Sequence, residues 1–319
     1  MNEFEIIEHY FKNLTVEDPR IIYGVGDDAA VINIPEGYEL VVSVDTLVSG
    51  VHFTADADPE SLGYKSLAVN LSDLAAMGAV PAWATMALTI PEYTPPWIEG
   101  FASGFSELAK RYPLSLIGGD LTQGPLSITV QIMGVVESGT SMLRNGARTH
   151  DDVYVSGYPG EAGYALLAQK REFDDCTIVG GHCLERLLKP LPRVELGRKI
   201  RGIASAAIDI SDGLAADLGH ILKSSSVGAI IELDKIPLRE PLAGLMNQDE
   251  IWEVVLSSGD DYELCFTVPG AVRREMEEIA MSFDFPVTRI GKIVADKGLH
   301  LMSPDGNKYL IKRYGYEHF

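Results

Sequence analysis

The sequence predicts an α/β chain of the mixed α+β kind, built as two successive domains. Three observations carry that prediction. Short β-branched runs alternate with apolar or amphipathic helical stretches in both halves, acidic residues recur at the ends of those runs, and the composition turns small and polar at Glu137-Ser138-Gly139-Thr140. A chain of 319 residues, at about 150 residues per domain, has room for two ordinary domains. The composition break places them at 1–137 and 138–319.

The elements follow in order. Residues 3–13 read as an amphipathic helix with Phe4, Ile7, Tyr10 and Phe11 on one face, and Pro19 follows soon after. Residues 38–46 have the Val-rich pattern of a buried strand that ends on Asp45 and Thr46. Residues 61–77 form the clearest helix, with Ser61 as N-cap and Gly78 just past its end. A strand at 83–90, a helix at 96–112 and a strand at 114–117 lead into Gly118-Gly119-Asp120, and 128–136 is a further strand. The second half opens with a strand at 152–156, then the Gly157–Gly163 segment and an apolar helix. Strands at 206–210, 229–233 and 263–268 follow, the first running into Ser211-Asp212-Gly213 and a helix, the last preceded by Gly259-Asp260-Asp261.

Charge narrows the function classes. Lys and Arg number 26 against 46 Asp and Glu, a net charge of −20 with no basic cluster, so nucleic acids and anionic membranes are excluded as partners. The N-terminus, Met1-Asn2-Glu3-Phe4-Glu5, is acidic where an export signal is basic and then apolar, and no apolar run is long enough to span a bilayer. Cys176, Cys183 and Cys265 match neither a zinc site nor a redox pair, so free thiols and a cytoplasmic location are expected.

Most acids on such a chain are solvated surface groups, but six places resist that reading: Asp27-Asp28, Asp45, Asp73, Asp120, Asp209 with Asp212, and Asp260-Asp261. Each sits beside Gly or at the mouth of an apolar strand, where open sheets put their ligands, apart from Asp73, which lies on the apolar helix. Ser66, Asn70 and Asp73 fall at i, i+4 and i+7, a narrow polar stripe that carries no Lys or Arg. A bound cation is one partner for Asp73, and a capping contact or hydrogen bond to a neighbouring loop is the other. Asp209 and Asp212 flank Ser211 before Gly213; an N-cap role accounts for one of these acids but not both. Hard oxygen donors with few His or Cys favour Mg²⁺ over zinc, and Mg²⁺ held by scattered carboxylates commonly also holds phosphate oxygens. A bound ion reverses the local potential and lets an acidic cleft take a nucleotide polyphosphate, which makes phosphoryl transfer the leading class. No Walker loop and no Gly-rich kinase loop occurs; Gly118-Gly119 and Arg144 are the remaining phosphate candidates, and Arg144 reads equally well as a surface residue.

An ordered set of motifs resembles one family. Gly24-Val25-Gly26-Asp27-Asp28, Ser43-Val44-Asp45-Thr46-Leu47 with His52, Asn70-Leu71-Ser72-Asp73, Ile117-Gly118-Gly119-Asp120, Asp209-Ile210-Ser211-Asp212-Gly213 and Ser258-Gly259-Asp260-Asp261-Tyr262-Glu263 are similar to those of thiamine-monophosphate kinases. That family belongs to the superfamily of aminoimidazole ribonucleotide synthetase, selenophosphate synthetase and a hydrogenase maturation factor. The resemblance implies two α/β domains of the aminoimidazole ribonucleotide synthetase-like type, with the N-terminal sheets of two subunits paired across a homodimer. It implies transfer of the ATP γ-phosphoryl group to thiamine monophosphate. It further implies Mg²⁺ ligands at Asp28, Ser43, Asp45, Asp73, Asp120, Asp209 and Asp212, with Val44 through its backbone carbonyl. ATP would meet Gly119, Asp120, Arg144 and Ser211, and thiamine monophosphate would meet His52, Asp260 and Tyr316. Two positions depart from some relatives: Val44 stands for Thr and Asp260 for the longer Glu.

Two other readings stay in view. A different acceptor within the superfamily is one, although selenophosphate synthesis usually brings a reactive Cys near the N-terminus and the first here is Cys176. A non-catalytic divalent-cation or nucleotide-binding protein is the other, although dispersed acids do not resemble a contiguous calcium loop.

Overall fold

The computed structural model describes residues 3–14, 17–171, 178–239 and 248–317. The chain divides into two compact units, Met1–Leu74 with Ala79–Ser141, and Ala75–Gly78 with Met142–Phe319. The break falls after Ser141 because the Met142 N–H donates to the Met77 carbonyl at 3.1 Å, tying Met142 to the 75–78 segment. Both units mix helix and sheet, as the alternating patterns predict.

In the first unit, α1 (Glu3–Ile6) gives way to a π-turn at Ile7–Phe11 and a 3₁₀ turn at Lys12–Leu14. The predicted amphipathic helix is thus helical in winding but not uniformly α. The i→i+5 turn brings Ile6 and Phe11, five apart, into the buried set, whereas Ile7 and Tyr10 are half-buried. Phe4, the fourth residue of the predicted face, has its side chain outside the described set. A small ribbon, β1 (Ile21–Tyr23) with β2 (Val31–Ile32), precedes a four-stranded sheet. That sheet is ordered β3 (Tyr38–Val48), β6 (Ser127–Glu137), β4 (Val80–Ile90), β5 (Ser115–Gln123), antiparallel except for the β4–β5 pair.

Helix α2 (Pro59–Ala76) connects β3 to β4 and is buried around its circumference, with Leu67, Leu71 and Leu74 fully enclosed. Its N-cap is Asp58, not Ser61: the Asp58 carboxylate accepts both the N–H and the hydroxyl of Ser61 at 2.8 Å. Pro59 takes the first helical position, where no N–H is needed. Gly78, at φ +69°, stops the helix as expected, its N–H donating to the Ala75 carbonyl. Helix α3 (Pro95–Arg111) packs against α2 at glycines. A Cβ on Gly63 would lie 2.0 Å from the Phe101 carbonyl oxygen, and one on Gly104 would lie 1.8 Å from that of Glu60.

β3 corrects an expectation. It was read as a buried strand, yet it forms a sheet edge, with Leu40, Val42 and Val44 exposed at 40, 48 and 57% while Ser43, Asp45 and Leu47 alternate toward the covered face. β5 corrects another. The strand does not stop at Ile117 but runs through Gly118, Gly119 and Asp120, paired in parallel with Thr85, Met86 and Ala87.

The second unit is a seven-stranded sheet ordered β13 (Lys308–Tyr309), β12 (Gly298–Met302), β9 (Gly228–Glu232), β11 (Val287–Val294), β7 (Asp152–Ser156), β10 (Leu264–Val268), β8 (Ala206–Asp209). Only the β9–β12 pair is parallel. Among the described residues the α-helices of this unit are α4 (Glu161–Arg171), α5 (Ile178–Leu188), α6 (Val194–Ile200), α7 (Leu214–Ser225) and two later ones, Gln248–Ser257 and Arg273–Ala280. Val153, Val155, Ile208, Leu218, Ile221, Val255 and Ile293 share one apolar core. Cys183 and Cys265 are buried free thiols, and Cys176 lies outside the described residues. Burial pushes the Cys183 thiol up to about 12, so it packs as a small apolar group. Among the described residues no helix is long and apolar enough to cross a membrane.

Candidate active site

In the first unit the site residues are carried by β3, the turn after it, α2 and β5. The alternation of β3 points Ser43 and Asp45 one way and Val44 the other, so Val44 can offer that face only its backbone. The Ser43 hydroxyl donates to Asp73 Oδ2 at 2.5 Å, joining strand and helix. On the polar stripe of α2, Ser66 donates to the Gly63 carbonyl and Asn70 to the Ser66 carbonyl, both at 2.9 Å. Those two side chains serve their own helix, and Asp73 is the one that reaches the sheet. Asp73 thus takes a hydrogen bond from a strand residue, where a cap or loop contact was the hydrogen-bonded alternative.

The remaining residues of this unit are less enclosed. Asp28 is exposed in the bend between β1 and β2, its N–H donating to Asp27 Oδ1 at 2.8 Å. Asp120 is exposed within β5. Gly119, at φ +153°, has no room for a side chain, since a Cβ would lie 2.0 Å from the Met86 carbonyl oxygen. The Gly118-Gly119 pair thus shapes a strand and is not a free phosphate loop. His52 occupies the turn after β3, where its Nδ1 accepts the Val48 N–H at 3.0 Å; the neutral ring then carries its proton on Nε2.

In the second unit three segments are laced together by backbone hydrogen bonds. The first runs from Asp209, the buried last residue of β8, into a turn with Ser211 and Asp212; the turn before β10 contains Asp260; the C-terminal tail contains Tyr316. Asp260 N–H donates to the Ser211 carbonyl at 2.9 Å, Tyr262 N–H to Ile210 at 2.8 Å and Tyr316 N–H to Asp212 at 3.0 Å. Gly315 lets the tail pass close, because a Cβ there would lie 2.7 Å from the Asp212 carbonyl oxygen. Asp260 and Tyr262 both adopt left-handed backbone, at φ +68° and +50°, and the Tyr262 hydroxyl donates to Asp260 Oδ1 at 3.0 Å. Ser211, Asp212, Asp260 and Tyr316 are thereby gathered; Arg144 is exposed in the segment before β7, where its carbonyl accepts the Ser225 hydroxyl at 3.2 Å.

Buried carboxylates hold these turns. Asp261 accepts the Gly160 N–H on both oxygens, at 3.0 and 2.9 Å, and burial raises its carboxyl well above the usual range. Glu263 is buried with Arg193 at 2.5 Å, Arg186 at 2.7 Å and the Ser156 hydroxyl at 2.6 Å. Burial alone would raise its carboxyl, but the Arg193 and Arg186 charges outweigh that and hold it below the ordinary value.

The residue that sequence reasoning missed is Asp217. The N-cap of α7 is Gly213, not Asp212 or Ser211, and Asp217 Oδ2 accepts the N–H groups of Ser211, Asp212 and Gly213 at 3.1, 3.0 and 3.1 Å. Burial first, then the neighbouring Asp212 charge, push the Asp217 carboxyl up to about 7. Its signal in the sequence is an acid in the first turn of an apolar helix, the same kind of anomaly that singled out Asp73.

The donor set suits Mg²⁺, since every side-chain candidate offers a hard oxygen. Among the described residues no three His, Cys, Asp or Glu side chains converge as a ready-made metal cage.

Comparison with known proteins places this architecture. The model of the AIR synthase related protein N-terminal domain matches residues 26–136, and that of the C-terminal domain matches 149–303. A thiamine-monophosphate kinase of Buchnera aphidicola subsp. Schizaphis graminum is 44% identical over 320 residues, covering 100% of this chain and 99% of that one. The crystal structure of the Stenotrophomonas maltophilia thiamine-monophosphate kinase superposes with a TM-score of 0.86 at 45% identity, covering 92% and 93% of the two chains. AaThiL complexed with AMPPCP and TMP gives a TM-score of 0.76 at 30% identity, covering 90% and 89%. Identity at this level along the full length, over two domains of this type, means that the chain belongs to the thiamine-monophosphate kinase family.

Proposed function

We propose that the protein transfers the γ-phosphoryl group of ATP to thiamine monophosphate, forming thiamine diphosphate and ADP. The observation that carries this reading is the full-length likeness to thiamine-monophosphate kinases, one of them solved with AMPPCP and TMP. The site residues fit the chemistry. A phosphate monoester is already an anionic nucleophile near neutral pH, so no strong general base is required; what is required is positioning and neutralisation of two like charges.

Asp28, Ser43, Asp45, Asp73 and Asp120, with the Val44 carbonyl, are the ligands we assign in the first unit, and Asp209 and Asp212 those in the second. Mg²⁺ bound there would neutralise phosphate oxygens and orient the donor. Ser43 holds Asp73 in place through its 2.5 Å hydrogen bond. Gly119, Asp120, Arg144 and Ser211 are assigned to ATP. Arg144 suits an anion because its guanidinium can fork onto phosphate oxygens. His52, Asp260 and Tyr316 are assigned to thiamine monophosphate: the Asp260 carboxylate complements a cationic thiazolium, and the Tyr316 ring offers a stacking face.

The exposed Leu40, Val42 and Val44 stripe on an edge strand supports a homodimer in which this sheet meets its copy, since an unprotected apolar edge invites pairing. Val42→Glu is expected to halve the mass seen by sedimentation equilibrium; an unchanged mass would remove β3 from the interface. A cytoplasmic location fits the buried free thiols and the substrates.

The direct test supplies Mg-ATP with thiamine monophosphate, with thiamine as control acceptor, and identifies the products. Thiamine diphosphate and ADP from the monophosphate alone are expected. Absence of thiamine diphosphate, with metal bound and nothing turned over, would overturn the kinase assignment.

A further inference from the structure

Three consecutive backbone N–H groups at the start of a helix form a nest suited to a phosphate oxygen, and the turn from β8 into α7 presents such a set at Ser211, Asp212 and Gly213. The chain fills this nest itself. Asp217 is only 2% exposed, and one of its oxygens takes all three donors. Gly213, at φ +125°, closes the turn on the Leu256–Ser257 backbone, which leaves a Cβ about as little as 3.0 Å of space. The same segment carries Asp209, buried at the end of β8, and the half-buried Ser211 and Asp212, and the Ser211 and Asp212 carbonyls hold the Asp260 turn and the Tyr316 tail. A single buried carboxylate therefore sets the conformation of a turn on which two other segments depend.

We propose that Asp217 is the positioning residue of this half of the site: it occupies the amide nest, so that ATP is engaged here through the side chains of Asp209, Ser211 and Asp212 and the metal they hold, and not by the helix N-terminus. This inference rests on the kinase reading. With the nest filled, the Ser211 contact to nucleotide is made by its hydroxyl, because its N–H is already committed at 3.1 Å. Removing the carboxylate does two things at once. It frees a phosphate-sized set of donors in the wrong place, and it releases the turn that aims the acids.

The test compares Asp217→Ala with Asp217→Asn, which keeps an acceptor oxygen. Mn²⁺ binding in the presence of ADP is followed by electron paramagnetic resonance, with inorganic phosphate as competitor. Asp217→Ala should weaken Mn²⁺ binding about tenfold and gain competition by phosphate at concentrations that leave the wild type untouched, while Asp217→Asn should stay within about threefold of wild type. Wild-type metal affinity with no phosphate competition in a folded Asp217→Ala protein would overturn the proposal. Should the alanine variant not fold, a loss of Mn²⁺ affinity of about tenfold or more in Asp217→Asn would do the same, since the acceptor is retained there. Wild-type protein that binds Mn²⁺ and ADP but makes no thiamine diphosphate would sink the kinase reading and leave the metal comparison intact, so the two failures are distinct.

Discussion

The two units hold their acids in opposite settings. In the first, Asp28 and Asp120 are exposed, and a Ser43–Asp73 hydrogen bond joins strand and helix. In the second, the acids stand on turns laced by backbone hydrogen bonds and fastened from beneath by the buried carboxylates Asp217, Asp261 and Glu263. The difference teaches that burial can be invested in a site at two levels. The first unit leaves Asp28 and Asp120 in solvent and Asp45 and Asp73 half-buried; the second fixes its acid-bearing turns through the backbone during folding, so a ligand there would have less left to order.

The contrast can be broken from either side. Asp73→Asn removes a charge but not a packing volume from the α2–β3 junction. It should fold normally and lose about 100-fold in turnover at saturating Mg²⁺. Near-normal turnover would take Asp73 out of the site.

Glu263→Gln attacks the scaffold of the other unit. Removing the buried charge that Arg186 and Arg193 share, while Arg186 keeps Glu161 at 3.6 Å, should cost about 3 kcal/mol of stability, read as a fall in Tm or denaturant midpoint. The pH dependence has a definite sign. Because the folded Glu263 carboxyl lies below its ordinary value, its stabilisation is complete above the unfolded value and is lost as pH falls through the folded one. The wild-type advantage over Glu263→Gln should therefore shrink on acidification; a constant gap from neutral to acid pH would contradict the assigned direction.

Tyr262→Phe is the gentlest probe. It deletes the 3.0 Å hydrogen bond to Asp260 and little else, at a cost of about 1 kcal/mol. The expected readout is a KM for thiamine monophosphate raised about fivefold with KM for ATP unchanged, the fold-change following from that energy. Equal changes in both would mean that the hydroxyl supports the fold and not the acceptor contact.

Element type was legible where periodicity and punctuation are strong, as where Gly78 ends α2 and the 152–156 run is β7 in full, whereas β11, β12 and the helices at Gln248–Ser257 and Arg273–Ala280 went unread. The errors share a cause. Ser61 was read as a cap because Ser often is one, yet Asp58 reaches further and Pro59 occupies the first turn without needing a donor. β5 was cut at its glycines because Gly usually breaks strands, whereas here Gly119 is what lets β5 lie against Met86. The acids were legible as anomalies, one by one, from their apolar or Gly-rich surroundings. Asp217 carried the same signal and was passed over, since an acid in the first turn of a helix is usually a solvated complement to its dipole.

Residue type and order alone determined that the chain is a strongly acidic two-part α/β protein with carboxylates at strand ends and on one apolar helix. These are properties of neighbours within a few positions, which composition and spacing encode directly. Which acids stay wet, which edge of the first sheet stays open, and which carboxylate fills the amide nest were settled by tertiary structure. Each depends on groups brought together across tens of residues, as Ser43 is with Asp73 and Asp260 with Ser211, and solvent exclusion acts only once that packing exists.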